Sequence, residues 1–225
     1  MKLSVIVPAL DEAAGIAATL GALAPLRAAG HEVIVADGGS IDETAAIAAR
    51  FADRVIQAPR GRARQMNAGA ALATGEALVF LHADTRLPAE ATQLVIEALG
   101  RRGWGRFDVR IEGRSPWLAI VAFFMNWRSR LTGIATGDQA MFVRREVFAA
   151  ARGFAEIPLM EDVELSVRLK RFSAPACIAA RAATSGRRWE RRGVLRTVVL
   201  MWRLRLAYFL GARPEDLARR YANGT

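Results

Sequence analysis

Across 225 residues the sequence carries 32 Lys and Arg against 22 Asp and Glu, a formal net charge of +10, and 52% of its residues are apolar. That length supports one sizeable core, so residues 1–225 are read as a single domain, and the lone Cys177 excludes both an internal disulfide and a thiolate zinc cluster. The positive charge alone suits nucleic acid, anionic lipid or a phosphorylated ligand, but no helix-turn-helix, zinc spacing or RNA-module motif accompanies it, and nucleic acid is not expected.

Residues 1–7 run straight into Leu3-Ser4-Val5-Ile6-Val7-Pro8, a first strand stopped by proline, with no long apolar segment or cleavage site of a secretion signal. A cytoplasmic location is expected. An alanine-rich helix follows over 13–28, then a second strand over 31–36 that ends in Asp37-Gly38-Gly39-Ser40-Ile41-Asp42-Glu43. Ser40 and Glu43 have capping-box spacing, which predicts a helix there with its amides beside Asp37. An acid at a strand end can accept from a base or ribose; helix capping by Asp37 or Asp42 explains it as well. Neither G-x-G-x-x-G nor a G-x-x-x-x-G-K-[ST] loop is present.

A short strand is predicted over 54–57, and Gly61-Arg62-Ala63-Arg64-Gln65-Met66-Asn67 runs into a helix. Arginine forks at a helix start suit a diphosphate, although a solvated basic face is the commoner meaning of such a run. Ala77-Leu78-Val79-Phe80-Leu81 reads as a strand buried on both faces, ending in His82-Ala83-Asp84 at the carboxyl edge, where open α/β sheets bind ligands. In a continuing strand His82 and Asp84 share a face. One carboxylate there can hold Mg2+ or Mn2+ whose other ligands are water and phosphate. The alternative makes Asp84 a cap and His82 a satisfied core histidine.

Beyond a helix over 88–99 and a strand over 106–111, residues 116–131 form an aromatic-rich helix, buried or interfacial and too short in its apolar part to span a bilayer. Gly137, Asp138 and Gln139 make a polar turn suited equally to a ligand-facing loop and to ordinary turn chemistry, before a strand over 140–143. Glu161-Asp162 opens a helix to about 171; the helix dipole favours acids there, and adjacent carboxylates also raise one pKa toward the range of a general base. In the last helix, 194–210, Leu195, Val199, Trp202, Leu206 and Phe209 share one face, with Arg196 and Arg203 on one side and Arg205 on the other. Packing of that face on the protein's own core is favoured over a bilayer surface.

Taken in order, Val5 to Glu12, Val35-Ala36-Asp37-Gly38-Gly39-Ser40-x-Asp42, Leu81-His82-Ala83-Asp84-Thr85 and Met160-Glu161-Asp162 resemble the family 2 glycosyltransferases over roughly residues 3–190. The 61–67 run is similar to that of a small bacterial subgroup. The resemblance implies a GT-A fold: a Rossmann-like, mostly parallel sheet flanked by helices, with a nucleotide-binding half (1–100), an acceptor half (101–190) and a C-terminal amphipathic extension (191–225). It implies a nucleotide-diphosphate-sugar donor held by Pro8, Ala9, Leu10, Glu12, Asp37, Gly38, Arg62, Arg64, Asn67 and Ala83. Asp84, helped by His82, would hold Mn2+ or Mg2+, and Asp162 beside Glu161 would be the base for inverting transfer to a hydroxyl acceptor, lipid-linked acceptors and the inner face of the membrane included.

Two departures from that pattern matter: His82 replaces the first acid of D-x-D, which points toward Mn2+. Ser185-x-x-Arg188-Trp189 replaces Q-x-x-R-W, so transfer of a single residue is expected, with Gly137, Asp138, Gln139, Arg188 and Trp189 in acceptor or donor loops. A non-catalytic nucleotide-sugar or anionic-lipid-binding module is the alternative. A sugar-phosphate nucleotidyltransferase lacks support because Pro8-Ala9-Leu10 supplies no glycine-rich phosphate turn.

Overall fold

The computed structural model describes residues 1–223. Its elements are β1 Leu3–Ala9, α1 Ile16–Gly21, α2 Ala24–Ala28, β2 Glu32–Asp37, α3 Thr44–Ala48, β3 Arg54–Gln57, α4 Arg62–Leu72, β4 Ala77–Phe80, β5 Thr85–Arg86, α5 Ala91–Arg101 and β6 Trp104–Glu112. There follow α6 Trp117–Thr132, a 3-10 turn at Gly137–Gln139, β7 Phe142–Arg144, α7 Arg145–Ala150, α8 Glu161–Leu169, β8 Ala176–Ser185, α9 Arg187–Arg192, α10 Val194–Phe209 and α11 Pro214–Asn223.

One sheet runs β3-β2-β1-β4-β7-β6-β8-β5. The first four strands are parallel. Then β7 lies antiparallel between β4 and β6, β8 is parallel to β6 with a bulge at Phe107/Asp108, and β5 is antiparallel to β8. The second half is therefore more mixed than the predicted sheet. Apolar residues are continuous along β1 because both faces are covered. Val5 and Val7 face a core with Ile16 and Leu20 of α1 and Val95 and Leu99 of α5, while Ile6 packs with Met66 of α4, Phe80, Leu165 and Leu169.

Four expectations change. The helix over 13–28 is two short ones broken at Ala22-Leu23, ahead of Pro25, which cannot donate to a continuing ladder. The Ser40/Glu43 box does not form: Ser40 gives its hydroxyl to Asp37 and accepts the Asp11 amide at 3.0 Å, and α3 starts later at Thr44. The organising strand stops at Phe80, and residues 82–85 form a turn closed by the Thr85 amide on the His82 carbonyl at 3.0 Å, so no continuing strand aligns His82 with Asp84. The apolar stripe of α10 faces outward. Leu195, Val199, Trp202, Leu206 and Phe209 are exposed, and Thr197, Leu200 and Leu204 form the inner face. The expectation that the stripe packs on the protein's own core is thus overturned.

Candidate active site

The carboxyl ends of β1 and β2 are tied together by loops that exchange partners. Asp37, only 6% exposed, accepts from the amides of Gly39 and Ser40 at 3.0 Å each and from the Ser40 hydroxyl. Asp11 accepts the Ile41 amide, and Thr44 accepts the Glu12 amide. Beneath this turn lies Gln65, a member of the 61–67 run to which no role was assigned from sequence. Its Nε2 donates to the carbonyls of both Ala9 and Ala36 at 2.8 Å, and a Cβ at Gly38 would stand 3.0 Å from its amide. Glycine at 38 is what lets the turn settle on that amide.

Of the three polar residues expected along α4, only Arg62 reaches the acids, with Nη1 3.6 Å from Glu161. Arg64 pairs with Glu156 at the surface. The Asn67 side chain donates to the Phe154 carbonyl and accepts the Phe154 amide, both at 2.9 Å, which anchors the loop before α8.

A cavity of about 10 Å³, roughly the space of one water, lies beyond β4 among Arg62, Phe80, His82, Gly137, Glu161 and Asp162. Asp162 Oδ2 accepts the Gly137 amide at 2.8 Å and Oδ1 the Val163 amide at 2.7 Å, which fixes the carboxylate at the start of α8. Met160 ahead of it holds φ 71°, a left-handed conformation unusual for a side-chain-bearing residue and of the kind found at working sites. Asp138 accepts or shares a proton with His82 Nδ1 at 3.2 Å. Loss of water raises the Asp138 pKa, but the His82 hydrogen bond and the charges of Arg62 and Arg188 outweigh it and hold it below the usual carboxylate range. Burial and the neighbouring charge of Asp162 push Glu161 up, with Arg62 opposing. The raised member of the acidic pair is thus Glu161.

Asp37 and Asp84 do not line this cavity. Asp84 sits in the turn after β4, half-buried, and its carboxylate accepts from the Thr85 hydroxyl at 3.5 Å. Ala83 is buried, its carbonyl accepting from Thr19 at 2.7 Å. His82 Nε2 is buried without a hydrogen-bond partner among the described residues, packed so closely on Gly137 that a Cβ there would lie 2.3 Å away. Among the described residues no cluster of three His, Cys, Asp or Glu could hold a metal unaided. The donor set that remains, one lightly engaged carboxylate, fits an ion completed by phosphate oxygens and water.

Gln139 is structural: fully buried, it closes a capping box with Thr136 and donates to Asn126. Trp189 is partly buried and packs against the cluster of Val109, Ile111 and Leu118. Arg188 stacks 5.5 Å over the Tyr221 ring and donates to its hydroxyl, while Arg187 reaches back to Glu12 at 3.2 Å, so α9 closes over the β1 loop.

Residues 4–151 match the family model described as glycosyl transferase family 2. The chain belongs to that family. It is 41% identical over 91 residues to a PGL/p-HBAD biosynthesis glycosyltransferase of Mycobacterium tuberculosis, covering 37% of this chain and 36% of that one. The chain thus spans little more than a third of the length of that relative.

The fold is similar to Staphylococcus aureus TarS 1–349, with a TM-score of 0.66 at 19% identity over 88% of this chain and 64% of that one. It is also similar to the glucosyl-3-phosphoglycerate synthase of M. tuberculosis in complex with Mn2+, UDP and glucosyl-3-phosphoglycerate. That match has a TM-score of 0.60 at 20% identity, over 81% and 71% of the two chains. Both are GT-A proteins, and the α/β expectation holds.

Proposed function

We propose that this family 2 protein transfers one glycosyl unit, with inversion, from a nucleotide-diphosphate-sugar to a hydroxyl acceptor. The observation that carries the proposal is the Asp162 carboxylate, pinned by the Gly137 amide at the cavity that Arg62, His82 and Glu161 also line. In this scheme Asp162 takes the acceptor's proton as its oxygen attacks the anomeric carbon. The bond to the diphosphate breaks, and its electron pair leaves on the phosphate oxygen. Glu161 and Arg62 fix the charge around the base.

Residues 1–100 would hold the donor, with Pro8, Ala9, Leu10 and Gly38 lining the nucleotide and Asp37 supporting the turn. Residues 101–190 would hold the acceptor, with the C-terminal helical extension beginning at 191. A Mn2+ or Mg2+ ion held by Asp84 and the donor's phosphates would supply charge stabilisation for the leaving group. The complex of a neighbour of this fold with Mn2+ and UDP supports that assignment for the chain.

The test pairs two variants with two readouts. Asp162→Asn should keep the thermal shift given by UDP with Mn2+ and lose about 10²- to 10⁴-fold in turnover, the scale of a general base. Asp84→Ala should lose the metal dependence of the nucleotide-induced shift. Wild-type turnover in Asp162→Asn would remove the base assignment, and an unchanged metal dependence in Asp84→Ala would remove the metal one.

A further inference from the structure

The proposed base has a second set of neighbours. Arg128 of α6 and Arg205 of α10 are half-buried, each with at least one guanidinium nitrogen that lacks a hydrogen-bond partner among the described residues. Among the described residues, Arg128 Nε and Nη2 and Arg205 Nε are buried with no hydrogen-bond partner, and Arg128 Nη1 makes a long contact of 3.5 Å to the Ile134 carbonyl. Buried donors in native proteins are nearly always paired, so unpaired guanidinium groups mark a place where an acceptor is missing.

Leu204, next to Arg205, packs with Ile134, Met160 and Val163, the last two on either side of the Glu161-Asp162 pair, and Arg128 reaches the Ile134 carbonyl of the same cluster. Burial first and then the charge of Arg205 depress Arg128 to about 10, while Asp162 pulls both arginines the other way. A guanidinium pair within electrostatic reach of Asp162 matches an anion next to the reacting hydroxyl. Beside it, α6 and α10 pack on one another and turn large apolar residues outward, Phe123, Trp127 and Leu131 from one and Val199, Trp202 and Leu206 from the other. Trp127 and Trp202 are 53% and 67% exposed. Unpaired cations bordered by outward aromatic residues are complementary to a phosphate carried on hydrocarbon. The formal net charge of +10 favours the same anionic surface.

We propose that Arg128 and Arg205 bind the phosphate of the acceptor, and that the outer faces of α6 and α10 seat its hydrocarbon. The acceptor is then a membrane lipid with a phosphate and a free hydroxyl. This rests on the assignment of Asp162 as base, because the hydroxyl must reach that carboxylate. It adds an occupant for surfaces the donor does not use.

The full chain is mixed with vesicles of phosphatidylcholine alone, with an equimolar phosphatidylcholine and phosphatidylglycerol mixture, and with phosphatidylcholine and phosphatidic acid, the last carrying phosphate without a free hydroxyl. Wild type should sediment with both anionic mixtures, and only phosphatidylglycerol should stimulate release of nucleoside diphosphate from donor. Arg128→Gln with Arg205→Gln should bind the anionic mixtures about tenfold more weakly, the loss expected for a charge-assisted contact. Trp127→Ser with Trp202→Ser should reduce sedimentation with every vesicle.

Equal binding to neutral and anionic vesicles, unaltered binding in the arginine pair, or stimulation by phosphatidic acid overturns the proposal. So does a stable dimer that buries both helix faces in sedimentation velocity. The thermal shift by UDP with Mn2+ is followed in each variant. Its retention shows a folded donor site, and its absence in wild type would count against the donor assignment, separately from the lipid result.

Discussion

Gln65 offers a test of how the fold supports the site. Gln65→Leu keeps nearly the same volume and removes both 2.8 Å hydrogen bonds from the side chain to Ala9 and Ala36. Each such bond contributes about 0.5–1.5 kcal/mol net. The Ala9 carbonyl keeps the Gly38 amide at 2.9 Å, so it is not stranded, and the loss should be about 2 kcal/mol. Gln65→Glu is the sharper perturbation. It places a second acceptor against two carbonyls in a residue that is 4% exposed, so the folded protein prefers the protonated acid. The folded pKa of that acid then exceeds the unfolded one, and the variant's stability falls as pH rises through that interval.

Urea unfolding followed by circular dichroism at several pH values measures both effects. The turn at Gly38 rests on the same amide, so the UDP-induced thermal shift should shrink in both variants. A Gln65→Leu protein within about 0.5 kcal/mol of wild type, together with a pH-independent Gln65→Glu, would refute the claim that this amide ties β1 to β2.

Further outcomes follow from other contacts. Gly137→Ala should cost about 1–3 kcal/mol, because its methyl would overlap His82 Nε2, and His82→Ala in the same chain should recover most of that in a double-mutant cycle. Glu161 is held above its ordinary pKa chiefly by burial and then by Asp162. Its native state therefore binds the extra proton, stability is greatest below the unfolded pKa and declines as pH rises to the folded one, and Glu161→Gln should flatten that decline in urea titrations. Arg106 is fully buried and paired with Asp108, so Asp108→Ala should cost about 3–5 kcal/mol by leaving a buried charge unpaired, as read by urea midpoint and slope.

Much of the parallel half could be read directly because its strands are continuous apolar runs between turn residues, the pattern of strands covered on both faces. β8 could not: Ala176-Cys177-Ile178-Ala179-Ala180-Arg181-Ala182-Ala183-Thr184-Ser185 has little β propensity, and it is extended because β6 offers it a parallel partner across a bulge. The Ser40/Glu43 spacing failed for a related reason. Asp37 and Asp11, drawn together by the pairing of β1 with β2, compete for Ser40 before any helix can use it.

Asn67 and Gln139 show the same limit at the site, since an amide side chain bonds a backbone as readily as a ligand, and only the fold says which is nearer. Asp138 was legible as a polar-turn residue and Glu161 and Asp162 as helix-start acids. What the sequence could not supply was the Gly137 amide that holds Asp162, because that bond crosses 25 positions of chain.

The outward turn of α10 follows from what lies beneath it. Periodicity identifies a stripe of large apolar residues, but a helix with apolar groups on more than one side buries the face that fits. The surface available to α10 is the small patch formed by Ile134, Met160 and Val163, the residues leading into the Gly137 turn and the Glu161-Asp162 pair. Leu200, Leu204 and Thr197 fit that patch, and Thr197 satisfies its own hydroxyl on the Gly193 carbonyl at 2.8 Å. Trp202 and Phe209 are too large for it and are left outside. The same packing carries Arg205 toward Asp162, so the side that buries the least hydrophobic bulk is also the side that brings a cation within reach of the proposed base. The helix therefore serves the site through its modest inner face, and its larger apolar face remains available to a hydrophobic partner.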